Sequence, residues 1–350
     1  MLSEYLSRKS ENVNMIRFLA ALLVVVSHAP VLMGTGVDLC YRFTGGESSF
    51  GGVSVAVFFF LSGLFVTNSL QHSRACGDFL RKRCRRIFPQ IWVVTLFVTF
   101  IFGPMLAIGG GMALPKYLTS PKTWQYLANL FLIPAHDLPG VFTGNPIRTV
   151  NGALWTMPVE FACYLSLVVL SYVASFIDGN GKMEKIFHIL CFCGIIGLIA
   201  LSVMLLPEHE TVCSILRPVG LFFAGSICCD WKERIKVRPW YGIVALLLLL
   251  LTAPLGMFSF GLLFLLPCVI VNVVISAKQV PLRSKLWDIS YEMYLVAYPI
   301  QQTLIYVSEN QMSLSTHIAL TVAIDLVIAW LLSRITESML GIWDNSLKRP

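Results

Sequence analysis

An apolar segment near the start of the chain contains two residues that could act in catalysis. The segment Asn14 to Pro30 reads NMIRFLAALLVVVSHAP and includes one cation, Arg17, and one titratable ring, His28. At 100° and 1.5 Å per residue, eleven residues make three helical turns plus about 20°, so both side chains fall on one face about 16 Å apart. Histidine titrates near neutral pH and can take a proton from a hydroxyl group. The pair therefore predicts a helix with a charged end and a general base on one face, although a snorkelling arginine and a packed neutral histidine remain the alternatives.

Polar residues also interrupt two later apolar segments. Glu160 follows a proline in NGALWTMPVEFACYL, and a charged group inside a bilayer needs a partner, water or a function, since burying it costs several kcal/mol. We therefore predict that Glu160 is functional. In FGGVSVAVFFFLSGLFV, Ser62 and Gly63 allow a ligand or a neighbouring helix to approach the backbone closely.

A basic run, RKRCRRIFP, extends from Arg81 to Pro89 and places five positive charges directly before an apolar span. Basic loops of this kind determine membrane topology and attract anionic lipid. Guanidinium groups also bind phosphate through paired hydrogen bonds. The run therefore predicts either a topology determinant or a phosphate site that includes Arg83 and Arg86.

The composition places these residues in a membrane protein. Hydrophobic residues make up 56% of the 350 residues, charged residues only 13%, and the mean hydropathy is +0.74, which is outside the range of soluble globular chains. The net charge of +7 arises mainly in short loops between apolar spans, so we expect no nucleic-acid binding. The ten cysteines form no C-x-x-C pair, and most lie inside apolar runs, so we expect no metal site.

The apolar spans predict an all-α polytopic membrane bundle with about ten transmembrane helices. We place the helices at 15–33, 51–70, 88–108, 153–176, 185–206, 214–229, 239–256, 258–276, 286–306 and 314–334. Loops on one side hold 21 of the 26 lysines and arginines, which predicts that both termini are cytoplasmic. We expect a single transmembrane domain over 1–350, an outer loop at about 109–152 and no soluble domain.

Five motifs, taken together and in this order, resemble the acyltransferase-3 family of bacterial membrane O-acyltransferases over nearly the whole chain. They are the R-x10-H pair Arg17 and His28, VFFFLSG, the R-x-x-R-I-x-P block from Arg83 to Pro89, VNGALWTMPVEFACY and ISYEMYLVAYPIQQ. Within the family, LPGVF…NP…VNGALWTMPVEF and YPIQQ look most like members that acetylate surface polysaccharide or lipopolysaccharide. Two departures are visible: Ala297 stands where many members have a histidine, and ITESML only partly matches the family's ending, which leaves Glu337 without an assigned role.

The resemblance implies an enzyme of the bacterial inner membrane, with membrane lipid around it. Its donor would be cytoplasmic acetyl-coenzyme A and its acceptor a sugar hydroxyl of a surface polysaccharide or of its lipid-linked precursor. Arg17, Arg83 and Arg86 would hold the phosphates of coenzyme A, while the pantetheine arm brings the thioester near His28. No metal is implied.

The same reading assigns roles to the remaining polar positions. His28 would be the general base, with a covalent acetyl-histidine as the alternative chemistry. Glu160 would orient the imidazole of His28 or bind acceptor hydroxyls, and Trp155 would stack on a sugar face. Asn151 and Ser62 are predicted to contact the substrate. Two other functions use the same features: a carrier or flippase that moves a lipid-linked glycan or acyl group without transferring it, and a structural membrane subunit.

Overall fold

Every regular element of the described chain is helical. The structure, a computed structural model, describes residues 1–6, 11–178, 181–205, 209–275, 277 and 288–347. Its α-helices in chain order are α1 (Leu2–Leu6), α2 (Glu11–Leu32), α3 (Leu39–Phe43), α4 (Phe50–Gln71), α5 (Cys76–Phe97), α6 (Gly103–Gly109), α7 (Leu114–Thr119), α8 (Pro121–Tyr126), α9 (Thr156–Ile177), α10 (Lys182–Leu205), α11 (His209–Asp230), α12 (Pro239–Thr252), α13 (Phe258–Val269), α14 (Ser290–Val307) and α15 (Leu314–Leu347). Shorter helical turns occur at Val98–Phe102, Leu127–Phe131, Gly152–Trp155 and Ile270–Ile275. The predicted all-α class is confirmed.

Eight helical segments among the described residues are long and apolar enough to cross a membrane. They coincide with eight of the ten predicted spans. The other two predicted spans, 239–256 and 286–306, correspond to α12 and α14, which fall outside this group, so the count of ten is not confirmed. Helix α12 has only 14 residues, or about 21 Å of helix, which is shorter than a bilayer core of about 30 Å. Helix α14 includes Glu292, Gln301 and Gln302, which lower its hydropathy.

The chain divides into two compact units, each built from three separate stretches of sequence. Unit 1 comprises Met1–Ala20, Leu39–Leu80 and Val159–Trp287, and unit 2 comprises Ala21–Asp38, Arg81–Pro158 and Asp288–Pro350. The expectation of a single acyltransferase domain over the whole chain stays a prediction.

Unit 1 is organised by the close packing of α4 against α11. A Cβ atom added to Gly63 would lie 1.9 Å from the carbonyl oxygen of Phe222, and one added to Gly225 would lie 2.3 Å from that of Phe60. Only glycine permits backbones to approach this closely. Thr67 also donates a hydrogen bond to Ser226 across the same contact, at 2.9 Å. The close approach predicted for Gly63 is confirmed, and its partner is a neighbouring helix.

Unit 2 is organised around α14, whose residues from Glu292 to Gln302 are all buried. Its side chains and carbonyl groups hold the irregular segment before α9. The Gln302 amide donates to the carbonyl oxygens of Ile147 and Thr149, both at 2.7 Å, and Asn145 donates back to Gln302. These bonds satisfy polar groups that would otherwise be buried without partners. Helix α14 is therefore the scaffold that positions the segment 145–156.

Candidate functional site

A cavity of about 440 Å³ lies in unit 2 and brings two predicted site residues together. His28 and Trp155 both line it. The remaining lining residues are Val31, Leu32, His136, Ile147, Thr149, Gly152 and Tyr298. The wall therefore combines aromatic rings and apolar side chains with a few polar groups, as is usual for sites that bind small molecules. His28 and His136 are the two imidazoles in this wall, and neither Arg83 nor Arg86 belongs to it.

His28 is placed by the last turn of α2 and by the turn that follows. Pro30 lies within the helix, two residues after His28, and Gly34 and Gly36 have positive φ values of 67° and 135°. These residues reverse the chain, so that Asp38 returns to α2 and accepts a buried hydrogen bond of 2.5 Å from the Ser27 hydroxyl. The Asp38 carboxylate also acts electrostatically on His28. The sequence analysis did not identify Asp38.

Tyr298 of α14 forms the aromatic wall beside His28. The two rings are 5.4 Å apart between centroids and meet edge to face at 75°. The tyrosine ring packs on Gly152, where an added Cβ would lie 2.8 Å from it. A side chain at Gly152 would therefore displace the ring from the cavity. Tyr298 was also missed in the sequence, although it lies in the late motif that the resemblance used.

Trp155 enters the cavity from a short helical turn, Gly152–Trp155, which Asn151 caps. The Asn151 side chain accepts from the Ala153 amide at 3.1 Å and donates to the Leu295 carbonyl oxygen at 2.8 Å. Asn151 is fully buried, so its side chain holds the turn that presents Trp155. Its predicted contact with substrate stays a prediction.

The basic motif lies on α5, also in unit 2. Arg83 is half-buried and Arg86 is exposed, three residues apart on one helix. Gln90 lies one turn beyond Arg86, and both side chains act on the carboxylate of Glu292 on α14. The two arginines could receive a phosphorylated ligand at this end of the helix.

Three predicted site residues belong to unit 1. The Glu160 carboxylate accepts hydrogen bonds from the hydroxyls of Tyr164, one helical turn along α9, and of Ser62 on α4 at 3.0 Å. The structure therefore brings Ser62 and Glu160 together. Arg17 lies over the ring of Phe65 at 5.9 Å from its centroid. The predicted roles of Glu160, Ser62 and Arg17 stay predictions.

Comparison with known proteins agrees with the motifs. A family model described as an acyltransferase domain matches residues 10–334. The chain is 27% identical over 310 residues to a protein named O-acetyl transferase from Shigella phage Sf6, covering 85% of this chain and 86% of that protein. It is 30% identical over 183 residues to nodulation protein 10 of Rhizobium leguminosarum bv. viciae, covering 48% and 46% of the two chains. No solved structure matches significantly.

Proposed function

Because the chain belongs to the acyltransferase-3 family, we propose that it is a membrane O-acetyltransferase that moves an acetyl group from acetyl-coenzyme A to a sugar hydroxyl of a bacterial surface polysaccharide or its lipid-linked precursor. The relative named O-acetyl transferase supports the acetyl group and the oxygen acceptor. The multi-pass helical structure supports a reaction at the inner membrane, where such precursors are assembled.

One observation supports the proposal most directly: a histidine and a tryptophan share one cavity. His28 and Trp155 line a space of about 440 Å³, which is large enough for one sugar ring and the end of a thioester. An indole packs well against the apolar face of a sugar, and an imidazole can take a proton from one of its hydroxyls. The wall of the cavity thus has one group to hold an acceptor and one to activate it.

In the proposed reaction, the acceptor hydroxyl attacks the thioester carbonyl as His28 removes its proton. The carbon–sulfur bond then breaks, and the imidazolium returns the proton to the departing sulfur, so the products are an acetyl ester and coenzyme A. The carboxylate of Asp38 would stabilise the imidazolium between these steps. A covalent acetyl-histidine, formed by attack of His28 itself, is the alternative route to the same products.

In this proposal, unit 2 would also bind the donor. Arg83 and Arg86 would hold the phosphates at one end of α5. Helix α14 connects this region to the cavity, because Glu292 is linked to Gln90 near the arginines and Tyr298, six residues later, lines the cavity. Six residues span about 9 Å along a helix, which an extended pantetheine arm can cover. The contribution of Arg17 to phosphate binding is proposed from its motif.

The test is acetyl transfer by the purified protein in detergent, from radiolabelled acetyl-coenzyme A to glycan from the native host. We expect label in the glycan, and we expect the His28→Gln variant to bind donor but to lose transfer by about 10²–10⁴-fold, the usual contribution of a general base. Glutamine keeps polarity and much of the volume but cannot act as a base near neutral pH. Near wild-type transfer by a folded His28→Gln protein would overturn this role, and Glu160 would become the next candidate base.

A further inference from the structure

Gln90 of α5 and Glu292 of α14 form a buried pair whose hydrogen bonding is incomplete. Gln90 is 8% exposed and Glu292 is 6% exposed. The two helices meet here, because the hydroxyl of Tyr291 on α14 donates to the carbonyl oxygen of Ile87 on α5 at 3.4 Å. The Gln90 side chain acts on the Glu292 carboxylate. One further oxygen on each residue, Oε1 of Gln90 and Oε2 of Glu292, is buried and has no partner among the described residues. A buried acceptor without a donor costs about 1–3 kcal/mol, so one such atom on each of two interacting side chains indicates a place for a ligand that donates hydrogen bonds.

The position of the pair relates it to the site of unit 2. Gln90 follows Arg86 by four residues, about 6 Å along α5, and Arg86 acts on the Glu292 carboxylate. Glu292 precedes Tyr298 by six residues, about 9 Å along α14 and a third of a turn around it. The pair thus lies between the exposed basic end of α5 and the wall of the His28 cavity.

We propose that Gln90 and Glu292 bind the pantetheine arm of the acyl donor by accepting hydrogen bonds from its amide N–H groups. This inference rests on the proposed function, because it takes acetyl-coenzyme A as the donor. The arm is an uncharged chain with two amide groups between the phosphates and the thioester. Its N–H groups would donate hydrogen bonds to Oε1 of Gln90 and Oε2 of Glu292. The arginines would hold the phosphates.

Binding of donor fragments to the purified protein tests the proposal without measuring transfer. The probes are acetyl-coenzyme A, S-acetylpantetheine, which has the arm without the nucleotide, and adenosine 3′,5′-bisphosphate, which has phosphates without the arm. Each unlabelled fragment competes with radiolabelled acetyl-coenzyme A. We expect Gln90→Met, which keeps the length of the side chain but removes its acceptor, to weaken binding of acetyl-coenzyme A and S-acetylpantetheine by about 3- to 10-fold. Affinity for the bisphosphate should stay unchanged.

A second variant and a matched control separate this effect from damage to the fold. Glu292→Gln removes the charge but keeps the shape, and it should weaken S-acetylpantetheine without weakening the bisphosphate. Thr95→Val removes another buried oxygen without a partner, on a different face of α5, and should leave all three affinities unchanged. If the Gln90→Met protein does not fold, the affinities of the Glu292→Gln protein for the three probes decide whether the proposal holds.

Three results would overturn the proposal, and they are distinguishable. If the folded variants bind S-acetylpantetheine as tightly as the wild-type protein does, Gln90 and Glu292 do not bind the pantetheine arm. The proposal that acetyl-coenzyme A is the donor would not be affected. A loss of bisphosphate affinity in Glu292→Gln would instead make Glu292 a positioning residue for Arg86. If the folded wild-type protein binds none of the three probes, the proposed donor itself is wrong, and this inference falls with it.

Discussion

A carboxylate next to a histidine stabilises the imidazolium that forms when the ring takes a proton. Asp38 lies near His28 and acts electrostatically on its ring. The hydroxyl of Ser27, the residue before His28, donates a hydrogen bond to the Asp38 carboxylate. Asp38 is only 6% exposed, so water screens its charge weakly. At the residue scale, the proposed base is therefore one member of a small buried network.

We expect Asp38→Asn to lower the rate of acetyl transfer while leaving donor affinity almost unchanged. The amide keeps the size of the side chain but removes the charge, so the imidazolium is less stable in the transition state. A loss of about 1.4 kcal/mol of stabilisation lowers the rate about tenfold, and we expect at least this effect on kcat, with KM for the donor within about twofold. Ser27→Ala should have a smaller effect. An unchanged kcat in a folded Asp38→Asn protein would limit Asp38 to a structural role.

Trp155 allows a separate test of the acceptor side of the cavity. We expect Trp155→Ala to raise KM for the glycan acceptor by about 3- to 10-fold, because an aromatic contact contributes about 0.5–1.5 kcal/mol beyond its buried area. Trp155→Phe keeps an aromatic face and should retain most of the affinity. Both values come from initial rates at saturating donor. If the alanine variant changes KM for the donor instead, Trp155 contacts the thioester end of the cavity.

At the scale of elements, the contact between α4 and α11 depends on two glycines. The carbonyl oxygens of Phe222 and Phe60 occupy the space that side chains at Gly63 and Gly225 would need. Backbone atoms cannot move aside as the end of a flexible side chain can. The two helices must therefore separate if either glycine gains a side chain.

We expect Gly63→Ala to lower the Tm of the protein in detergent by several degrees, because the added methyl would lie 1.9 Å from a backbone oxygen and overpacking costs about 1–3 kcal/mol. The matched control is Gly194→Ala in α10. There an added Cβ meets no atom of the described residues within 4 Å. There alanine should be neutral or stabilising, by up to about 1 kcal/mol, since it favours helix more than glycine does. Equal Tm values for the two variants would contradict the close packing.

Helix α15 has a row of buried polar residues along one face. His317, Thr321 and Asp325 recur every four residues, and each is fully buried. Their side-chain nitrogen and oxygen atoms have no hydrogen-bond partner among the described residues. Polar groups in such a position are costly unless a protein group, water or ligand satisfies them.

We expect Asp325→Asn to leave the Tm unchanged or to raise it, because the amide keeps the shape and removes a carboxyl group that is costly to ionise in a buried position. The measurement is thermal unfolding of the purified variant, with acetyl transfer assayed in parallel. A lowered Tm would show that the carboxyl group has a stabilising partner. Loss of acetyl transfer at an unchanged Tm would show that the carboxyl group of Asp325 takes part in transfer.

At the scale of the whole molecule, the distribution of charge predicts the orientation in the membrane. The loops assigned to the cytoplasmic side hold 21 of the 26 lysines and arginines, and such loops are retained on the cytoplasmic side. This orientation would place the basic motif of α5 where a cytoplasmic phosphorylated donor can reach it.

Single cysteines introduced into a cysteine-free version of the protein test the orientation. We expect a cysteine at Gly77→Cys to react with a membrane-impermeant maleimide only after the inner membrane is opened, and one at Gly144→Cys to react from the outside of spheroplasts. At either glycine an added Cβ meets no atom of the described residues within 4 Å, so we expect the substitutions to be tolerated sterically. Reaction of Gly77→Cys from outside and protection of Gly144→Cys would invert the topology and separate Arg83 and Arg86 from a cytoplasmic donor.

The sequence alone determined the membrane class, the all-helical fold and the positions of most helices. A span of about 20 apolar residues is a local property, because the bilayer requires each segment to bury its own backbone hydrogen bonds and to match its thickness. The predicted starts and ends therefore lie within a few residues of most observed helices. The largest differences are at α5, which begins at Cys76 instead of 88, and at α15, which ends at Leu347 instead of 334. The predicted number of spans is not confirmed at α12, which is short, and at α14, which is polar.

Only the tertiary structure decided which residues share a site. Asp38, Tyr298 and the pair Gln90 and Glu292 are distant in sequence from the groups they contact, and no periodicity within one helix connects them. The sequence identified His28 and Trp155 by residue type and motif, but their common cavity depends on the glycine turn after α2 and on the hydrogen bonds from α14 that hold the segment 145–156. The physical reason is that the hydropathy of a segment predicts only whether that segment can lie in the bilayer. The cavity, in contrast, forms where side chains from separate segments pack against one another.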